Sequence, residues 1–214
     1  MRRRAAVAAA ALLALVSACR TAGPAAVPAD PARTAGSVAA VFAARERAWA
    51  PRRFKALYRG EVAPKAGLAV RGFLSLFWDG ETLEWRASVP LAGTPRAGTI
   101  RRGGADAGGL FPGPLAAADV LAALLGVPEE LPTGEGALLR GGRVELRLPS
   151  GGGRAVLVSE DGAITGLVLA GGVRVELAPG PLVPGRIEIS GREGTAALSL
   201  ESFGPWPEGE GTKR

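Results

Sequence analysis

The sequence predicts a mainly β fold of the α+β kind: a single antiparallel sheet rolled into a half-open barrel beneath a helical lid. Three observations carry this expectation. From Phe54 onward, apolar and polar residues alternate in short runs, which is the period of a strand. Short turns rich in Gly, Pro and Asp join the runs, and short connections make neighbouring strands antiparallel. Two stretches interrupt the alternation with apolar residues at helical spacing, and such helices need a face to cover. A sheet of about nine or ten strands must curl. A closed barrel would bury its interior unaided, so the helices favour the open form.

The chain begins with an address. Arg2, Arg3 and Arg4 lead into an apolar run from Ala5 to Val16, which closes on Val16-Ser17-Ala18-Cys19. The run is about a dozen residues, short of the ~20 a bilayer-spanning helix needs, so it reads as a secretory signal over residues 1–18. Its last four residues resemble a bacterial lipobox, which makes Cys19 the expected site of lipid attachment. In the alternative, an ordinary signal is cleaved and the cysteine is incidental. Cys19 is the only cysteine of the 214 residues, so no disulfide is expected in the exported domain. Residues 19–35, with Pro24, Pro28 and Pro31, show no periodicity and read as a lipidated cysteine followed by a flexible tether.

A helix is expected from Ser37 as N-cap. Val38, Val41, Phe42, Arg45 and Trp49 then share one face, and Pro51 stops it. Core packing is favoured over membrane contact because Arg45, Glu46 and Arg47 make a mixed polar face. Strand alternation follows over Phe54 to Val62 and Leu68 to Trp78. Asp79-Gly80 is a two-residue hairpin signal, and its partner strand runs through Leu83, Trp85, Ala87 and Val89. A strand around Thr99 to Arg101 leads to glycine-rich loops. A second helix from about Leu115 to Leu125 is introduced by Pro114 and stopped by Gly126 and Pro128. From Arg143 strands continue to Phe203, with turns at Gly151 to Gly153, Asp161-Gly162 and Gly171-Gly172. The domain is therefore placed at residues 36–204, with a polar tail at 205–214.

The chemistry is defined as much by missing residues as by present ones. The chain contains no histidine, which removes the commonest general base and metal ligand and the serine–histidine form of nucleophilic catalysis. Gly134-Glu135-Gly136 lacks the strand-turn-helix setting and basic residue of a phosphate loop. Glu81 and Glu84, three apart at a hairpin start, fall on opposite faces, and no Asp-x-Asp loop offers an oxygen-ligand metal site. No catalytic residue, metal or cofactor is expected, and the protein is not expected to be an enzyme. The three leader arginines account for half of the net charge of +6, leaving +3 for the mature chain. With one tyrosine and scattered arginines there is no basic patch interleaved with aromatic platforms, so nucleic acid is not an expected partner.

What remains is shape and apolar surface. Leu74, Leu76, Trp78, Leu83, Trp85 and Val89 fall on one face of the central hairpin, and Leu121 and Leu124 lie on the second helix. These residues either line a cavity able to hold an acyl chain or pack against the helices as a core, and the sequence leaves both open.

The order of segments then carries a resemblance. A lipobox, a short linker and a helix are followed by Arg59-Gly60-Glu61-Val62, Val70-Arg71-Gly72-Phe73 and a strand ending in Trp78. Next come Pro90-Leu91-Ala92-Gly93, Leu124-Leu125-Gly126-Val127-Pro128 and Pro184-Gly185-Arg186-Ile187-Glu188-Ile189. Together they resemble the LolB-like outer-membrane lipoproteins of the LolA/LolB half-barrel superfamily, over nearly the whole mature chain. The resemblance implies a half-open barrel with a helical lid, held at the outer membrane by lipid and facing the periplasm. It also implies acceptance of lipoproteins from a periplasmic LolA-like carrier, with acyl chains in the concave cavity, and a monomer is expected. An exposed leucine on the family's insertion loop corresponds to Leu91, although Ala92 stands between it and the glycine. The family's further tryptophan-bearing helix is replaced here by the glycine-rich Thr133 to Gly142. Arg20 after the cysteine differs from the aspartate that retains enteric lipoproteins at the inner membrane. The competing expectation, from a different class, is a structural or interaction lipoprotein with a solid barrel that binds an envelope protein complex.

Overall fold

Alternating apolar residues become one long sheet in the computed structural model, which describes residues 26–88, 95–104 and 115–206. Cys19, Val89 and Leu91 lie outside the described residues, as do the rest of residues 1–25 and residues 207–214. In chain order the elements are β1 (Val27–Pro28), α1 (Pro31–Ala48), β2 (Phe54–Pro64), β3 (Val70–Trp78), β4 (Thr82–Ser88) and β5 (Arg96–Arg101). After α2 (Ala117–Leu125) come β6 (Leu138–Arg140), β7 (Arg143–Arg147), β8 (Ala155–Val158), β9 (Ile164–Val168), β10 (Arg174–Ala178), β11 (Arg186–Gly191) and β12 (Gly194–Pro205).

Among the described residues these twelve strands form a single sheet in the order β1-β6-β7-β8-β9-β10-β11-β12-β2-β3-β4-β5. Every pairing is antiparallel. The long β12 returns to β2, pairing from Gly194 against Pro64 to Pro205 against Phe54, with a bulge between Leu200 and Ser202. β1 and β5 form the two ends of the sheet, so the sheet is open, as the sequence predicts. The inward residues of β2, β3, β4, β5, β7, β8, β10 and β11 share one hydrophobic cluster with Val41 and Trp49 of the α1 region and with Val120, Leu121 and Leu124 of α2. Both helices therefore cover the same face.

The first helix departs from expectation at its start. It begins at Pro31, with Asp30 as N-cap accepting a hydrogen bond from the Arg33 amide at 2.9 Å. Proline lacks an N–H, but at the first helical position that donor has no intrahelical partner anyway, and the fixed φ suits the turn. Pro31 thus starts a helix where the tether was expected to continue, and Ser37 is buried in the helix interior instead of capping it. The buried stripe is Ser37, Val41 and Ala48, and Phe42 is 51% exposed on the other side.

The central hairpin keeps its expected face but shifts its turn. The Asp79 amide donates to the Thr82 carbonyl at 3.2 Å, so the two-residue loop is Gly80-Glu81. Asp79 Oδ1 accepts from the amides of Glu81 (2.9 Å) and Thr82 (2.6 Å), the bonding that suits aspartate to turns. Gly80 has φ of 101°, and a β-carbon there would stand 2.9 Å from Pro51 Cα. Two short strands, β1 and β6, pair with each other outside the expected set. Both are too brief to show alternation.

Candidate functional site

The candidate site is the inner face of β3 and β4 with the helices packed over it. Alternation puts Leu74, Leu76, Trp78, Leu83 and Trp85 on the same side of the two strands. Register sets Leu76 across from Trp85 and Trp78 across from Leu83. On β5, Ile100 continues the row across from Leu83, and Gly98 stands across from Trp85. The Trp85 indole lies against that glycine: a β-carbon at position 98 would come within 2.8 Å of its Nε1, Cε2 and Cζ2.

From above, α2 contributes Leu121 and Leu124, and Trp49 just past α1 meets Trp78 edge-on with ring centroids 5.9 Å apart. The structure thus brings seven of the sequence-predicted residues, Leu74, Leu76, Trp78, Leu83, Trp85, Leu121 and Leu124, into one buried cluster. Leu74, the most accessible of them, is 6% exposed.

Polar contacts fix the cover in place. The Trp49 indole donates to the Val127 carbonyl at 3.1 Å and Arg45 Nε to the Glu129 carbonyl at 2.8 Å, tying α1 to the segment after α2. Arg102 reaches Glu129 Oε1 at 2.5 Å and sits over the Trp49 ring at 5.3 Å. At the other end of α2, Asp119 accepts two hydrogen bonds from Arg154, from Nε at 2.8 Å and from Nη2 at 2.9 Å. Its hydrogen bonds to Asp119 hold the Arg154 guanidinium above its ordinary pKa. Sequence reasoning passed over Asp119, yet a lone carboxylate in the apolar run Ala117 to Leu125 was the available sign that something opposite must answer it. On the sheet, the Tyr58 hydroxyl donates to the Pro184 carbonyl at 2.8 Å, and burial pushes the phenol well above its ordinary value.

Clefts open beside this core. One of about 240 Å³ lies under α2 beside Asp119, Glu130, Leu148 and Arg154. Another of about 940 Å³ runs along the outer side of α1 past Val38 and Phe42 to Thr133 and Ala137. Among the described residues no group of acidic or sulfur ligands is placed to hold a metal ion, and no helix is long and apolar enough to cross a membrane.

Fold and site together define an open antiparallel sheet wrapped around two helices, with an aromatic and aliphatic inner face. No family model matches the chain, and no curated protein matches it. Among solved structures, the chain is similar to a LolA superfamily protein from Nitrosomonas europaea, at 10% identity over 80% of this chain and 94% of that one, with a TM-score of 0.41. It is also similar to an outer membrane lipoprotein-sorting protein domain from Vibrio parahaemolyticus, at 9% identity over 82% and 94% of the two chains and a TM-score of 0.45. A DUF1329 family protein from Desulfovibrio piger matches at 10% identity over 83% and 94%, with a TM-score of 0.44.

Proposed function

We propose that the protein is a lipid-anchored, non-enzymatic protein of the cell envelope that holds acyl chains against the inner face of its sheet. The observation that carries this reading is an open sheet whose apolar inner face is covered by α2, a nine-residue helix with eight buried residues. A short, greasy cover over a greasy face can exchange its own contacts for those of a hydrocarbon chain. Each methylene so buried contributes ~0.8 kcal/mol, and no covalent chemistry is required. Because the candidate residues are already buried, cargo enters as α2 lifts and takes over the surface it covered. The proposed cargo is the acyl moiety of other lipoproteins, received from a LolA-like carrier and placed in the outer membrane. Cys19 is the proposed anchor, and Leu91 the proposed residue on the insertion loop.

Displacement of a fluorescent fatty acid from the purified full-length chain, together with native mass spectrometry, tests the reading. Saturable displacement and a retained acyl mass support it, and a bare chain that binds none of the probe ends it. Leu91→Glu is expected to leave folding and carrier binding intact while impairing delivery to the membrane.

A second reading is favoured by one observation, the near-complete burial of Trp78, Leu83 and Leu124 in a single packed cluster. In that case the barrel is a solid scaffold whose edges bind an envelope protein complex. It predicts a stable co-purifying protein and no lipid binding.

A further inference from the structure

Buried polar atoms in folded proteins almost always find a partner, and two of the four polar aromatic side chains in this core do. Trp49 Nε1 has the Val127 carbonyl and the Tyr58 hydroxyl has the Pro184 carbonyl. Trp78 Nε1 and Trp85 Nε1 break the pattern: both are buried and neither has a hydrogen-bond partner among the described residues. The side chains are held firmly, Trp78 at 0% exposure against Trp49 and Trp85 at 3% against Gly98. They stand on neighbouring strands of the same inner face, each opposite a leucine. Two fixed donors in an otherwise apolar setting call for an acceptor brought by something else.

The chemistry narrows what brings it. The row around the indoles is Leu76, Leu83 and Ile100, so the occupant is mostly hydrocarbon. A carboxylate buried there would need a cation. The nearby cation, Arg102, is engaged by Glu129 and by the Trp49 ring. An amide would carry in an N–H of its own to be satisfied among apolar side chains, whereas an ester carbonyl accepts and brings no donor.

We propose that Trp78 and Trp85 form a carbonyl-recognition site that takes an uncharged acyl ester, each indole N–H being a donor to an ester oxygen. This rests on the acyl-binding reading above and adds to it a preference for the linkage as well as the chain. An indole donor to a neutral carbonyl is expected to raise affinity about five-fold.

The test compares methyl dodecanoate, dodecanoate and tridecane on the full-length chain. It measures displacement of a fluorescent fatty acid and the nitrogen-15-resolved indole proton signals. The expected result is tightest binding of the methyl ester, with downfield movement of the Trp78 and Trp85 indole protons that tridecane does not produce. Trp78→Phe and Trp85→Phe each reduce the preference of ester over alkane about five-fold and leave tridecane binding in place. Equal affinity for ester and alkane, with unmoved indole signals, overturns the carbonyl site while leaving acyl binding intact. Dodecanoate binding as tightly as its ester overturns the uncharged class. Failure of all three probes to bind overturns this site and the acyl-binding reading together. The comparison of probes on the unmodified chain decides the matter even if a variant fails to fold.

Discussion

Asp119 and Tyr58 show how single polar atoms hold an apolar interior in register. Removing the Asp119 charge leaves Arg154 facing a cleft without its two-point partner. Asp119→Asn is therefore expected to lower stability by about 2 kcal/mol, below the cost of breaking a fully buried pair because Arg154 is 24% exposed. Urea unfolding midpoints measure the loss, and Asp119→Leu with Arg154→Met is expected to recover much of it, since the desolvation of both charges is removed with them. Tyr58 sets an alkaline limit. Burial raises the folded-state pKa of its phenol above the ordinary value of 10.0, so the fold binds the proton more tightly than the unfolded chain does. Its contribution is fully present below pH 10 and is lost as the pH climbs above that value. Tyr58 is the only tyrosine, so phenolate absorbance reports it alone. The signal should stay suppressed until unfolding, and Tyr58→Phe should flatten the alkaline fall in stability. None of these partners was legible in the sequence, because Arg154 and Pro184 are brought to Asp119 and Tyr58 by the sheet and lie 35 and 126 residues away.

Elements were more legible where local pattern decided them and less where one residue's position did. The alternation from Leu74 to Trp78 and from Leu83 to Trp85 identified the inner face correctly because period 2 leaves only one assignment that buries both tryptophans. The N-cap of α1 lies seven residues before the expected Ser37, because Pro31 breaks a helix only in its interior and is favourable at the first helical position. Gly98 illustrates a requirement that appears only across strands: β5 must carry no side chain where the Trp85 indole crosses it. Gly98→Ala is expected to cost about 1–3 kcal/mol by overpacking and to shift tryptophan emission. In a Trp85→Leu background the same substitution should cost less, and a double-mutant cycle measures the difference.

At the scale of the whole molecule, an antiparallel sheet that stays open has two requirements, a cover for its inner face and some treatment of its ends. The helices meet the first. At the ends, β1 is only two residues long and β5 begins and ends in arginine, both of which discourage pairing with a second chain. The open barrel could be anticipated because two apolar helices had no other face to cover. Whether that face admits a ligand could not be, since the same side chains fill a core or line a cavity. The central claim is that α2 gives way to an acyl chain. Hydrogen exchange of the full-length chain, with and without methyl dodecanoate, tests it most directly. Saturating ligand is expected to change amide exchange in Ala117–Leu125 and in β3 and β4. Unchanged exchange throughout α2 and the β3–β4 hairpin at saturating ligand would contradict it.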